Sequence, residues 1–148
     1  MTTIQRAGRT ATVLLIDDSS AVRAGVRALL SGDPALRVVG DAWSGSEGLE
    51  RARDLRPDLI VLDQEMPGLT GIEILRRLGR MLPGTRVVFF TLSVEIERQA
   101  LALGAVAVVA KEEPARLLAT LQRLAADAGP AALGARNARR QGQPRVGR

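Results

Sequence analysis

The groups in this chain best equipped for chemistry are three carboxylates, one hydroxyl and one ammonium: Asp17, Asp18, Asp63, Thr91 and Lys111. Each follows directly on a short apolar run. Thr12-Val13-Leu14-Leu15-Ile16 runs into Asp17-Asp18, Leu59-Ile60-Val61-Leu62 into Asp63, Val87-Val88-Phe89-Phe90 into Thr91, and Val106-Ala107-Val108-Val109-Ala110 into Lys111. Taken singly, each has a plain explanation as a helix cap, a loop acid or a stray base. If the runs are strands of one parallel sheet, their polar ends share one edge and the five groups converge there. Three carboxylates about 5 Å apart, at an effective dielectric near 20, repel by roughly 3 kcal/mol per pair. One ammonium offsets part of this and a hard dication the rest. With oxygen ligands only, and neither His nor Cys in the chain, Mg²⁺ is the fitting ion. A metal, a carboxylate nucleophile, a hydroxyl and a cation are the parts for moving a phosphoryl group onto a carboxylate, a reaction in which the protein mostly positions groups and neutralises charge. Without the metal, the acidic rim repels phosphate.

The elements that must hold these groups are legible from period and punctuation. The apolar runs are short, rich in β-branched residues and unalternated, as strands buried on both faces are. Val22, Val26, Leu29 and Leu30 repeat at helical spacing, with Asp18 or Ser19 as cap and Gly32 as stop. Val38-Val39-Gly40 is a short, weaker strand. Ser44 and Glu47 fit a capping box, opening a helix that runs to about Arg56 ahead of Pro57. Pro67, Gly68 and Gly71 shape the loop behind Asp63. Ile72, Leu75, Leu78 and Leu82 mark a third helix closed by Pro83-Gly84. Ser93 is placed to cap a fourth, with Ile96, Ala100 and Leu103 apolar and Gly104 as stop. Pro114 opens the last, with Leu117, Leu121 and Leu124 facing inward. Strand and helix thus alternate five times. The fold class that follows is α/β: a doubly wound, five-stranded parallel sheet with helices on both faces, whose ligands bind beyond the carboxyl ends of the strands.

Composition sets the limits. A chain of 148 residues with 46% apolar content supports one domain with a real core, and 2% aromatic content makes that core Leu, Val, Ile and Ala. The absence of Cys excludes disulfides and thiolate chemistry, and the absence of His excludes imidazole acid–base work. Residues 1–10 read as a polar N-terminal extension without a secretory signal, residues 11–127 as the domain, and residues 128–148 as a disordered Arg-rich tail. All 16 acids and 16 of the 21 bases fall before residue 129, so the net charge of +5 belongs to the tail, through Arg136, Arg139, Arg140, Arg145 and Arg148. The tail is suited to electrostatic contact with nucleic acid or acidic partners; a solvated tail with no role is the plainer reading. No apolar segment reaches membrane-spanning length, and the expected compartment is the cytoplasm. Arginine supplies 20 of the 21 bases, so the single lysine, Lys111, invites a local reason, with chance retention as the alternative.

At Leu15-Ile16-Asp17-Asp18, at Leu62-Asp63-Gln64-Glu65-Met66-Pro67-Gly68-Leu69-Thr70-Gly71, at Thr91 and at Lys111, the sequence resembles the receiver domain of two-component response regulators, over about residues 11–127. The resemblance implies a flavodoxin-like (βα)₅ receiver fold. It implies that Asp63 accepts phosphate from a histidine kinase or phosphotransfer protein. Asp18, Asp63 and the backbone carbonyl of Glu65 would hold Mg²⁺, with Asp17 nearby or acting through water; Thr91 would hydrogen-bond the phosphoryl group and Lys111 pair with it. The chain would then be a signalling phosphoacceptor with slow self-dephosphorylation, not an enzyme. The Val38-Val39-Gly40 wording looks most like receivers that carry a helix-turn-helix effector. No helix-turn-helix or zinc-finger pattern follows the domain, however, so the expectation is a stand-alone receiver with no DNA-binding domain and a protein partner as output, a homodimer included.

Three positions depart from the family's pattern. Leu92 follows the switch threonine where a small residue is usual, and would narrow access to Asp63. Val108 stands where the family often has an aromatic that swings inward on activation. Glu112 follows Lys111 in place of proline, so the family's common cis peptide cannot be assumed. Leu92 and Val108 favour the main alternative, a receiver-like interaction module that works without phosphate. An aspartyl-phosphate phosphatase of the haloacid dehalogenase type is disfavoured by Glu65 at the second acid position. A flavin or nucleotide binder is disfavoured by the negative Asp17-Asp18 pair where phosphate-binding amides would be wanted.

Overall fold

A computed structural model describes residues 10–127. Strand β1 (Ala11–Ile16) leads to helix α1 (Ser20–Ser31), β2 (Leu36–Ala42) to α2 (Gly45–Leu55), and β3 (Leu59–Leu62) to α3 (Gly71–Met81). Strand β4 (Arg86–Thr91) leads through a 3₁₀ turn (Val94–Ile96) to α4 (Glu97–Ala102), and β5 (Ala107–Ala110) to α5, helical over residues 114–127. The expectations of an extension over residues 1–10 and of a disordered tail over 128–148 lie outside the described residues, Thr10 excepted.

The five strands form one parallel sheet in the order β2-β1-β3-β4-β5, the flavodoxin-like order. Alternate side chains along the inner strands feed two separate cores. Leu14, Ile16, Ile60, Leu62, Val87 and Phe89 pack on one face with Ala52 of α2, Ile74, Leu75 and Leu78 of α3, and Ala100 of α4. Val13, Leu15, Leu59, Val61, Val88 and Phe90 pack on the other with Val26 and Leu30 of α1 and with Leu117, Leu121 and Leu124 of α5. Burial on both faces is why these strands read as continuous apolar runs.

Strand β2 is longer than its sequence signal, covering seven residues against the expected three. It is an edge strand, and most of its side chains are only half-buried. Its length comes from pairing with β1, across an irregularity that leaves Val39 without a direct partner between the Val13–Val38 and Leu14–Gly40 pairs.

The caps differ from expectation in two places. Ser44 accepts the Glu47 N–H at 3.2 Å, but Glu47 turns its carboxylate to Arg51 at 3.1 Å, so only half of that box closes. A full reciprocal box forms instead at Thr70 and Glu73, at the start of α3. Ser93 does not cap a helix. Its hydroxyl is drawn away to Glu65, and the 3₁₀ turn opens without a side-chain cap. Ser19 caps α1 and Gly32 closes it, as the sequence indicates.

Two glycines matter for placing the acid loop. Gly68 turns the chain behind Asp63 with a φ of +80°, a conformation that costs glycine little. Gly71 starts α3 so close under the end of β3 that a Cβ there would collide with the Asp63 carbonyl and the Phe89 ring. No cis peptide occurs among the described residues, the Lys111–Glu112 bond included.

Candidate functional site

The strand order reverses direction at β1, so the carboxyl ends of β1 and β3 lie side by side and the chain departs from them in opposite senses. Register fixes the meeting. Ile16 pairs with Leu62, and the next amide along, Asp63 N–H, donates to the Ile16 carbonyl at 3.0 Å. Asp17, Asp18 and Asp63 each offer a carboxylate oxygen, and these oxygens lie within 4.8 Å of one another. Asp17 and Asp63 are buried, whereas Asp18 is exposed.

Lys111 enters from the end of β5. Its ammonium donates to Asp63 Oδ2 at 3.0 Å and pairs with Asp17 Oδ2 at 2.9 Å, so one cation bridges two acids from different strands. The other oxygen of each acid is also held. Asp17 Oδ1 accepts the Ser19 N–H at 2.9 Å, and Asp63 Oδ1 accepts the Gln64 N–H at 2.8 Å. Burial pushes the Asp17 carboxyl above the usual carboxylate range; the Ser19 N–H and Lys111 pull it back and the charge on Asp63 adds to the rise, and the net shift is upward. Burial pulls Lys111 down, but its hydrogen bonds to Asp17 and Asp63 and their charges outweigh that and hold the ammonium above its ordinary value.

Thr91 ends β4, fully buried, beside this pair. Its carbonyl accepts the Lys111 N–H at 3.0 Å and its hydroxyl accepts the Ser93 N–H at 3.0 Å, so its O–H remains a donor. All five groups singled out in the sequence therefore stand along one rim. Glu65 is expected to contribute its backbone carbonyl, and its side chain lies elsewhere. Its side chain is exposed and accepts the Ser93 hydroxyl at 2.9 Å, linking the loop after β3 to the loop after β4. Leu92 is 66% exposed. Val108 lies in the core with Phe89, so an aliphatic side chain fills the position and no aromatic is there to swing.

The donor set fits a small hard dication: clustered carboxylate oxygens, an ammonium that compensates only part of their charge, and neither imidazole nor thiol. Sequence reasoning missed two supporting residues. Gln64 holds the helix that follows, accepting the Ile72 N–H at 2.9 Å through its side chain and the Gly71 N–H at 3.0 Å through its carbonyl. Arg23 reaches back from α1 to the Asp17 carbonyl at 2.7 Å. A cation so near a helix N-terminus, against the helix dipole, was the available signal.

Comparison with known proteins agrees with this geometry. Residues 13–122 match the response regulator receiver domain. The chain is 44% identical over 119 residues to the nitrate/nitrite response regulator NarL of Escherichia coli, covering 78% of this chain and 55% of that protein. It therefore spans about half the length of that curated relative. A two-component response regulator of the LuxR family from Aurantimonas sp. SI85-9A1 superposes with a TM-score of 0.75 at 30% identity, over 84% of this chain and 94% of that one. A LuxR-family regulator from Staphylococcus aureus, described as DNA-binding, shares the fold with a TM-score of 0.71 at 21% identity, over 78% of this chain and 98% of that one.

These relatives correct one expectation. The absence of a DNA-binding domain, and the stand-alone protein-contact output built on it, do not stand: the similar regulators are NarL-type and LuxR-family proteins, and the region matched in NarL is only part of that protein. The physical reason is that the rim chemistry is complete within the (βα)₅ unit and carries no information about what is joined to it. Among the described residues, no helix is long and apolar enough to cross a membrane. With the fold, the acidic rim and the match over residues 13–122 in agreement, the chain belongs to the response regulator receiver domain family of two-component signalling.

Proposed function

We propose that Asp63 accepts a phosphoryl group from a histidine kinase or phosphotransfer protein, that Mg²⁺ held by Asp17, Asp18, Asp63 and the Glu65 carbonyl assists, and that the phosphorylated form switches an interaction surface. The observation that carries this reading is the convergence of Asp17, Asp18 and Asp63 within 4.8 Å around an ammonium 3.0 Å from Asp63. A carboxylate oxygen of Asp63 attacks the donor phosphorus as the bond to the donor's leaving nitrogen breaks, and the leaving group takes up a proton. When bound, the metal supplies charge neutralisation to the phosphoryl oxygens. Gln64 N–H holds the Asp63 oxygen that Lys111 does not, which fixes the carboxylate plane. Lys111 then moves its hydrogen bond to the phosphoryl group, and the free O–H of Thr91 donates to it. The added charge, roughly two negative units at neutral pH, draws Thr91 and Lys111 inward and biases β4, α4 and β5 between two states. The chain itself is an acceptor whose acyl phosphate hydrolyses slowly, and this reading places it in the cytoplasm.

The test is intact mass after incubation with acetyl phosphate or phosphoramidate and Mg²⁺. The parent protein gains one HPO₃ and Asp63→Ala gains none. One observation favours a second reading, an interaction module that acts without phosphate: Val108 is a filled core position where an aromatic readout would be needed. No adduct with any donor, together with intact partner binding, would select that reading.

A further inference from the structure

We infer that Arg23 is a positioning residue for the metal site: it fixes the Asp17–Asp18 peptide and thereby sets where the two carboxylates stand. The inference rests on the proposal that the acidic cluster binds Mg²⁺. Arg23 Nη1 donates to the Asp17 carbonyl at 2.7 Å, a charge-assisted hydrogen bond. Its Nε is buried, makes no hydrogen bond, and faces Asp41 Oδ2 of β2 at 3.6 Å. Arg27 reaches the same Asp41 oxygen at 3.4 Å, so Asp41 keeps a cation without Arg23.

The Asp17 backbone is held on both sides. Its N–H donates to the Ala42 carbonyl at 3.0 Å, and its carbonyl is taken by Arg23. The Asp17 side chain closes a turn onto the Ser19 N–H. Asp18 has no comparable tie of its own: it is exposed, and its direction is inherited from the peptide that joins it to Asp17. Releasing the Asp17 carbonyl frees that peptide to rotate, and the Asp18 carboxylate leaves the cluster before Asp63 or Lys111 is disturbed.

The arrangement carries costs that a purely stabilising contact would avoid. Arg23 lies in the opening turns of α1, where the helix dipole disfavours a cation. Its guanidinium is largely desolvated, with 17% of the side chain exposed, and its Nε faces Asp41 without a hydrogen bond. A planar guanidinium holds the carbonyl with Nη1 and faces Asp41 with Nε from one rigid fork; a lysine ammonium is a single point charge on a flexible stem and lacks that fixed spacing.

The experiment is calorimetric titration of the full chain with MgCl₂, alongside thermal melting in EDTA. Arg23→Met keeps the apolar stem and removes the guanidinium. It should bind Mg²⁺ about tenfold more weakly than the parent, the lower end of what groups that orient metal ligands contribute. Arg23→Lys should recover part of that loss. If Arg23→Met melts earlier yet binds Mg²⁺ as the parent does, Arg23 is merely structural and the inference is overturned. If Arg23→Met does not fold, Asp41→Asn, which loosens the guanidinium without deleting it, is titrated instead; weaker Mg²⁺ binding supports the inference and parent-like binding overturns it. Absence of Mg²⁺ binding by the parent protein removes the metal reading itself, and this inference with it.

Discussion

Replacing Lys111 by Met should turn the rim from a balanced cluster into an unbalanced one. The ammonium sits 2.9 Å from Asp17 and 3.0 Å from Asp63, both acids are buried, and its own side chain is 15% exposed. Removing one partner of a buried ion pair costs about 3–5 kcal/mol, because the remaining charge is left uncompensated. Here one ammonium serves two acids, which argues for the upper end. Residual exposure and the Ser19 and Gln64 amides on the other oxygens argue for less. The expected loss in EDTA at pH 7 is therefore about 3 kcal/mol.

The pH dependence has a fixed sign. In the parent, the Lys111 pKa is raised by its partners, so its stabilisation is complete below the ordinary value of 10.5 and is lost as pH rises through the folded value. That alkaline decline should be absent in Lys111→Met. On the acid side, the raised pKa of Asp17 means that ionising it costs folding free energy as pH rises from 3.8 through its folded value. Without the ammonium that cost grows, so the variant should regain stability on acidification relative to the parent. Mg²⁺ should restore much of the loss at pH 7, since a dication replaces the missing charge, and should stabilise the variant more than the parent. Urea melts at pH 5 and 7 with EDTA or Mg²⁺, and in EDTA at pH values rising above 10.5, measure all of this. Equal stability of parent and variant at pH 7 in EDTA, with equal Mg²⁺ shifts, would refute the electrostatic account of the rim.

Three further outcomes follow from the same geometry. Gly71→Ala should cost about 1–3 kcal/mol in urea denaturation, because the new methyl meets the Asp63 backbone and the Phe89 ring inside a packed joint. Mg²⁺ affinity, followed by calorimetry, should fall on acidification and begin to fall at a higher pH than exposed carboxylates would require, since Asp17 must be ionised to bind and its pKa is raised. Glu65→Gln should speed phosphorylation by acetyl phosphate a few-fold, on the order of what removing one exposed like charge near the mouth can give, while Ser93→Ala, which frees the Glu65 carboxylate from its 2.9 Å hydrogen bond, should not; mass-detected time courses separate the two.

The strand runs, the five-fold alternation and the polar residue ending each inner strand were all present in the linear order of residues. A strand buried on both faces must be apolar throughout, so its end is marked by the first polar residue, and that is where Asp17, Asp63 and Thr91 stand. The parallel sheet then obliges those ends to share an edge. Other features exist only through distant neighbours. Strand β2 takes its length from β1, because an edge strand that is only half-buried carries a diluted pattern. Ser93 looks like a cap but bonds Glu65, 28 residues away in the chain, because the loops after β3 and β4 are brought together by the sheet. Glu47 is a local case: two partners within one helical turn compete for its carboxylate, and the pattern alone does not rank Arg51 above the capping box. Arg23 reads as a surface arginine until β1 and β2 place the Asp17 carbonyl and Asp41 on either side of it. Local patterns record what a residue does with its chain neighbours and with the core, whereas pairings between polar groups of separate loops depend on sheet register, and periodicity does not encode register across strands.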